Sequence, residues 1–511
     1  MNTLLALTLI APLISAGASL VIRNDNARDG VTLIGLVTAF ASSIGILQQV
    51  AADGTHVVRV GGWVPELGIV LVADLFAALV LPVGLFIIVA VQMFALGQRN
   101  SAWSADPAIA APLLGVMTTG VSLSFLTGDL FTLFVSFELI LVSSYVLLTH
   151  QGRRAQVRSG MTYVVMNLLA STLFLFGLAF VYAATGTINM ALLAERIPML
   201  DDGIRLGIGA WFLVVFGTKA AMFPLFTWLP DSYPTAPTTI TAVFAGLLTK
   251  IGIYSMIRFH TLMDMNELGP IMLISAGITM IIGALGALAQ SDIKRILSFH
   301  IISQIGYMLM GLALFSAAGV AGSILFVVHH MPVKTLLFLV GGLVEDEEGT
   351  SSLDYSGALA KKRPLIAMFF AIPALSLAGL PPFSGFVAKF SVIRAGIEES
   401  ATAVVVAALI ASVLTMLSMT KIWLGVFWGK PYEPAEGEKT MVSMATPAAP
   451  AGRRIMEGAT AFAIAGTLFI SLFAGTLFEL STEAAENLRN PASYTVPVLE
   501  RDFISAEGAG S

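Results

Sequence analysis

Apolar residues fill the chain in runs of about 20 positions, separated by short polar stretches. A run of that length crosses about 30 Å of hydrocarbon as an α-helix. Fourteen such spans are predicted, at residues 3–22, 31–50, 69–97, 108–126, 130–149, 160–185, 204–228, 236–260, 269–290, 296–316, 318–344, 364–396, 402–428 and 458–480. A membrane barrel would instead show short segments of alternating polarity, and the chain shows none. The pattern predicts an all-α polytopic membrane protein.

Proline interrupts the pattern twice. Residues 222–237 carry Pro224, Pro230, Pro234 and Pro237, and the twelfth span carries Pro373, Pro381 and Pro382 beside Gly379 and Gly385. Proline removes a backbone donor and clashes with the preceding turn, so each region is expected to break or unwind. Such breaks are tolerated at membrane depth only where protein or a water-filled cavity satisfies the freed groups. The first run lacks a basic leading segment and is expected to be a retained helix rather than a signal peptide. Residues 429–457 are expected to form a solvated linker, the acidic run Glu345–Glu348 a solvated loop, and the stretch after Ser481 a polar tail ordered only by partners.

Composition agrees with lipid as the covering medium: 57% of residues are hydrophobic and 12% charged, against roughly 25% charged in soluble domains. Cysteine is absent, which excludes disulfides, thiolate-bound zinc, cysteine-held iron–sulfur clusters and cysteine nucleophiles. No cofactor is expected, and any electron-transfer chemistry would belong to a partner. The 27 Lys and Arg residues test the topology. With the N-terminus outside, fifteen fall in inside loops, seven in outside segments and five within spans. Lys294 is counted among the inside loops and Arg258 among the outside ones. The bias follows the positive-inside rule and predicts both termini outside.

The in-span charges carry the chemistry. A charge near the bilayer centre costs about 2.5–3.5 kcal/mol on insertion scales. Glu138 lies about 12 Å along its span and Lys250 roughly 20 Å along its own, at 1.5 Å per residue. Lys219 precedes the first break, Lys389 follows the second, and Lys334 follows His329, His330 and Pro332. Each has a purely structural reading: lysines near helix ends snorkel to headgroups, and a carboxylate can simply neutralise a lysine. Lys421, seven residues from its helix end, fits snorkelling as well as function. Lys219, Lys250 and Lys389 lie deeper, beside breaks or small-residue faces. Lysine titrates readily when buried whereas arginine stays charged, so this set suits proton handling. His329 and His330 can link lysine segments, because imidazole titrates near neutral pH; hydrogen-bonded structural histidines fit the sequence equally well. His300 is a possible access group near an inside helix end. Six scattered histidines give no metal site. Asp129, at the edge of the fifth span, is explained by helix N-terminal stabilisation.

Several ordered motifs then resemble one family. Phe134 through Glu138 (FVSFE), the SYVL stretch from Ser144, Trp228 through Pro237 (WLPDSYPTAP), Ser291 through Arg295 (SDIKR), Ser298 through Tyr307 (SFHIISQIGY) and His330 through Lys334 (HMPVK) resemble the antiporter-like proton-translocating family. That family includes the large membrane-arm subunits of respiratory complex I and the large subunits of Mrp-type Na⁺/H⁺ antiporters. The resemblance covers about residues 70–430. The stretch His300–Tyr307, Asp231-Ser232-Tyr233 where complex I relatives often have Asp-Ala-His, lysine at 389 and the absence of a long C-terminal extension bring the chain nearest the D type of Mrp subunit.

The resemblance implies about fourteen helices with two inverted five-helix repeats, each containing a broken helix. It implies N-terminal helices at 1–107, a first repeat at 108–260, a second at 261–428, the linker at 429–457, and a last helix and outside tail at 458–511. It further implies that Glu138 and Lys219 form a controlling pair. Lys250 and the His330/Lys334 region would pass protons through water to Lys389, with Asp231, His300 and Lys421 as minor or access groups. Tyr233 departs from the family's histidine, so no histidine role transfers there. The implied partners are the other subunits of a hetero-oligomeric antiporter, protons, Na⁺ and the bilayer of the cell membrane; no nucleic acid and no covalent catalysis are implied. Two other readings stand beside this one: a proton-pumping subunit of a quinone-linked redox complex, and a stand-alone carrier binding a small solute at the breaks. The scarcity of in-span arginines argues against an anionic substrate.

Overall fold

The computed structural model describes residues 1–99, 101, 104–430 and 448–499. The helices run α1 Asn2–Val21, α2 Asp25–Asp53, α3 Leu75–Gln98, α4 Pro107–Leu126, α5 Leu130–Thr149, α6 Arg154–Thr185, α7 Met190–Arg196 and α8 Asp202–Ala220. They continue as α9 Trp228–Ser232, α10 Thr238–Leu262, α11 Gly269–Leu288, α12 Ile293–Ala313, α13 Ala317–Glu348 and α14 Leu359–Lys362. The last are α15 Pro364–Ala378, α16 Ser384–Glu398, α17 Thr402–Ile422, α18 Pro450–Leu472, α19 Ala474–Arg489 and α20 Pro491–Leu499.

Among the described residues, thirteen helices are long and apolar enough to cross a membrane, so the protein is a multi-pass membrane protein. The twelfth expected span, 364–396, is instead two short helices, α15 and α16, joined through the break at Gly379–Phe383. The third span also starts later than its hydropathy implies. Val70–Ala73 (β2) pairs antiparallel with His56–Arg59 (β1), and α3 begins only after Asp74, whose side chain accepts from Ala77 N. Asp129 caps α5 in the same way, accepting from Thr132 N at 2.6 Å, as its position predicts.

Burial sorts the helices by role. Helices α10 and α13 are enclosed along their apolar lengths and α12 nearly so, whereas α6, α11 and α17 leave most of their surface outside the protein. An apolar helix enclosed on all sides marks the centre of a bundle. Helix α13 packs against α10, α12, α15 and α16, and thus forms the spine of the molecule.

Both breaks close by the same device. At the end of α8 the chain turns left-handed at Ala221 (φ 62°), with Ala221 N bonded to Thr218 O at 3.2 Å and Met222 N to Gly217 O at 3.0 Å. At the end of α15 it turns left-handed at Gly379 (φ 85°), with Gly379 N bonded to Ser376 O at 3.0 Å and Leu380 N to Leu375 O at 3.1 Å. This bonding satisfies carbonyls that a helix end would otherwise leave bare. Neighbouring helices supply the remaining partners. Thr279 and Ser275 of α11 bond Phe223 N and Phe223 O, each at 3.0 Å, and Trp228 Nε1 donates to Thr218 O at 3.0 Å. At the second break Ser412 of α17 donates to Ala378 O, and Ser471 of α18 accepts from Ser384 N.

Three expectations are overturned. The acidic run is not a solvated loop: it is the last turn of α13, and Glu345 and Asp346 are buried. Each of its four acids meets a cation: Glu345 Lys294, Asp346 Arg453, Glu347 Arg363 and Arg453, and Glu348 Lys362. Of the stretch after Ser481, residues 482–499 pack within this chain, as the end of α19 and as α20; residues 500–511 lie outside the described residues. Helix α19 packs on α13 and α3, and Arg59 donates to Val498 O at 3.1 Å. The linker is shorter than composition implies, because α18 already begins at Pro450; residues 431–447 of it lie outside the described residues.

Two charges counted as loop residues are also interior. Arg258 is buried on α10 in a bidentate pair with Asp74, under the ring of Tyr494 at 5.3 Å. Lys294 is buried at the start of α12, its Nζ 2.7 Å from Glu345 Oε1.

Candidate functional site

Glu138 and Lys219 are neighbours through the fold, and they do not touch. Lys219 sits in the last turn of α8, where a cation is favoured by the negative end of the helix dipole. Its Nζ donates to Ser171 Oγ of α6 at 3.1 Å and lies 4.7 Å from the ring centroid of Phe137. Glu138 is next in sequence to that phenylalanine on α5, within electrostatic reach of Lys219. Its Oε1 is buried without a hydrogen-bond partner. Ser171 is a contact that sequence reasoning missed, since a serine in an apolar helix carries no distinguishing signal.

The end of α8 lies directly on α10. A Cβ at Gly252 would fall 2.7 Å from Ala220 N and 3.0 Å from the carbonyl carbon of Lys219. Glycine is therefore required at this approach, which brings the Lys219 turn against the helix carrying Lys250 two residues earlier. Lys250 is wholly buried and donates to Ala245 O of its own helix.

Across α10 from that point lies a cluster on α13 and α12. His330 and Lys334 are four residues apart and share a face of α13, as His300 and Gln304 do on α12. His330 is within electrostatic reach of Lys250, Lys334, His329 and His300. Most polar atoms here have no protein partner: both ring nitrogens of His330, Lys334 Nζ, His300 Nδ1, both amide atoms of Gln304 and the hydroxyl of Thr249. Native interiors pair nearly all such atoms, with protein or with ordered water. A group of this size points to internal water, which typically makes about three hydrogen bonds to otherwise unsatisfied polar groups.

Lys389 closes the series. It lies on α16, with its Nζ donating to Ala378 O, the C-terminal carbonyl region of α15, and to Ser412 Oγ, each at 3.1 Å. The ring of Tyr307 lies 5.2 Å away. Like Lys219, it holds its ammonium at the C-terminal end of a broken helix. His329 Nδ1 shares a 2.8 Å hydrogen bond with Ser384 Oγ at the start of α16, while Gly385 passes so close to Ser376 O that a Cβ would stand 1.8 Å from it. Two glycines, Gly252 of α10 against the end of α8 and Gly385 of α16 against the end of α15, thus allow close backbone approach at the two breaks.

The remaining candidates separate from this group. Lys421 is no headgroup anchor: its Nζ donates to Leu288 O at 2.8 Å and Gln290 O at 2.6 Å, capping the end of α11. Asp231 is exposed, in a surface pair with Arg295 at 3.0 Å. Tyr233, at the family's histidine position, is packed among Trp228 and Phe244. Among the described residues no group of three or more His, Cys, Asp or Glu could hold a metal ion. Lys421→Met should therefore leave ion flux within about twofold of wild type while costing about 1 kcal/mol of stability, the worth of the lost cap bonds; a vesicle flux assay beside a thermal melt checks both.

A family model described as NADH:quinone oxidoreductase/Mrp antiporter, TM, matches residues 127–415, the segment that carries Glu138, Lys219, Lys250, the histidines and Lys389. The chain belongs to this family. The family likeness extends beyond the matched segment. The chain is 38% identical to the D-type subunit of the Na⁺/H⁺ antiporter of Alkalihalophilus pseudofirmus, over 98% of this chain and 100% of that protein. It is 35% identical to the corresponding D-type antiporter protein of Bacillus subtilis over the same shares. Among solved structures, it is similar to a chain of the Mrp complex from a Dietzia species, with a TM-score of 0.88 at 33% identity, covering 98% of this chain and 100% of the other. A chain of the membrane-bound sulfane sulfur reductase, an archaeal respiratory membrane complex, also superposes, with a TM-score of 0.85 at 25% identity over 97% and 99% of the two chains.

Proposed function

We propose that this chain is a proton-translocating subunit of a multisubunit Mrp-type Na⁺/H⁺ antiporter of the cell membrane, working with other antiporter subunits and performing no covalent chemistry. The observation that carries the reading is the row that starts at the half-buried Glu138 and continues through the buried Lys219, Lys250, Lys334, His330, His300, His329 and Lys389, laid through α5, α8, α10, α13, α12 and α16. The full-length identity to two D-type antiporter proteins supports the same reading.

The geometry supports the following roles. Glu138 governs the charge on Lys219 through space: the carboxylate favours the protonated lysine, and its loss or neutralisation releases the proton toward α10. Lys250, Lys334, His330, whose two ring nitrogens have no partner among the described residues, and His300, whose Nε2 is bonded to Ser418 Oγ while its Nδ1 is unpaired, relay through water held by the orphaned polar atoms. Lys389 exchanges with one membrane face through the second break. The matching closures at Ala221 and Gly379 support two related repeats, at 108–260 and 261–428. The excess of basic residues in the loops between helices supports an inside position for them and an outside position for both termini.

The redox-complex reading shares the fold of the archaeal respiratory complex. It is favoured less, because identity to the antiporter proteins is higher. A solute carrier binding at the breaks is disfavoured, since Ser275, Thr279, Ser412 and Ser471 already occupy the freed backbone groups.

Glu138→Gln tests the control pair. It keeps the side-chain volume and removes the negative charge, so cation-driven proton flux in membrane vesicles should fall at least about tenfold or its pH profile should change. An unchanged rate and pH profile in an assembled complex would reduce Glu138 to a structural residue.

A further inference from the structure

Away from the proton row, a cleft of about 700 Å³ opens at the start of α6, between that helix and the segment after the first break. Its walls include Arg154, Arg158, Ser159, Thr162 and Thr235. The volume falls within the range of ligand sites, roughly 300–1,000 Å³. Asp231 also borders it, and its carboxylate is taken by Arg295. Arg154 and Arg158 are exposed, one helical turn apart on the same face, and neither has an ion pair or hydrogen bond among the described residues. They do not serve the helix that carries them. The first turn holds no acidic residue, and cations at the N-terminal end oppose the helix dipole.

What lies beyond the cleft identifies its occupant. Along α6 the same outer side continues as a bare apolar face, with Met161 63%, Val165 58%, Leu168 56% and Leu169 52% exposed. A ligand matching both parts carries an anionic head and apolar tails. Arginine pairs bind phosphate oxygens through a planar fork of donors, and the hydroxyl of Thr162 adds a neutral one. Basic pockets at the headgroup level of a helical membrane protein bind anionic phospholipids on these grounds.

We propose that this cleft is a binding site for the headgroup of an anionic phospholipid, held by Arg154 and Arg158, with the acyl chains lying along Met161, Val165 and Leu168. The site touches the first break directly. Ser159 Oγ and Thr235 Oγ1 share a 2.9 Å hydrogen bond, and Gln156 Nε2 donates to Thr235 O at 3.0 Å. A bound lipid therefore clamps α6 to the segment Trp228–Thr235. This inference is independent of the proton path and stands or falls separately from it.

The test is native mass spectrometry of the detergent-purified assembly, titrated with phosphatidylglycerol, phosphatidylethanolamine and inorganic phosphate in parallel. Wild type should take up phosphatidylglycerol at least about tenfold more tightly than phosphatidylethanolamine, and Arg154→Gln with Arg158→Gln should remove that preference. Equal phosphatidylglycerol binding by the double variant overturns the site. So does wild-type binding of inorganic phosphate as tight as that of the lipid, since the tails would then contribute nothing. If the glutamine pair fails to assemble, the lysine pair keeps the charge but loses the fork; a several-fold loss of lipid affinity supports the site, and unaltered affinity rejects it.

Discussion

Lys219→Ala is expected to abolish cation-driven proton flux while the complex still assembles. The ammonium is the group that stands between Glu138 on α5 and the enclosed helix α10. Without it the proton must cross from the Glu138 side to Lys250 with no titratable group between them. An unpaired charge in a low-dielectric interior costs several kcal/mol, and each 1.36 kcal/mol on a barrier is a factor of ten in rate. Flux should fall by roughly a hundredfold or more. The structural loss is small by comparison: one hydrogen bond to Ser171 and one contact over Phe137, about 1–2 kcal/mol together. Flux measured in vesicles beside subunit content separates the two effects. Near-normal flux in an intact complex would refute the relay, and loss of assembly in place of flux would mean that Lys219 is mainly structural.

A second large effect should appear in stability. Lys294, Glu345 and Thr238 meet where α12 begins, α13 ends and α10 begins, with Glu345 Oε2 also accepting from Thr238 Oγ1 at 2.6 Å. Both charged side chains are nearly inaccessible. Removing one partner of a buried pair leaves the other uncompensated, which costs about 3–5 kcal/mol, whereas replacing both with apolar groups of similar volume is often neutral or better. Glu345→Ala should therefore lower the unfolding midpoint sharply, and Lys294→Met with Glu345→Leu should recover most of the loss. A thermal or denaturant unfolding series on the purified protein decides the matter. A double variant no more stable than Glu345→Ala would show that the ion pair itself, and not the stranded lysine, carries the stability.

The members of the proposed proton row are largely legible in the sequence as in-span charges, for a definite reason. A charge inside an apolar run is visible to a local window, so Glu138, Lys219, Lys250, Lys334 and Lys389 stand out wherever the bundle places them. The proline clusters announce both breaks equally locally. Residues that partner or border the row do not stand out. Ser171, Ser384 and Ser412, which bond its members, and Gln304, whose amide is unpaired beside them, lie in ordinary helical sequence. Gln304 alone carries a faint signal, four residues from His300 on one helix face.

By itself the sequence determined the membrane class, nearly all of the spans, the two interruptions and the identity of the buried titratable groups, because each depends on residues adjacent along the chain. Only the tertiary structure decided where the chain's other charges and its end belong. Glu345 reads as solvent-facing until Lys294, 51 positions earlier, arrives beside it. Arg258 reads as a loop cation until Asp74 and Tyr494 close around it. The 364–396 run reads as one helix until Lys389 and Ser412 converge on the end of α15. The physical reason is the same in each case. Hydropathy is a property of a segment, but the burial of a charge depends on whether a partner reaches it, and that partner comes from elsewhere in the fold.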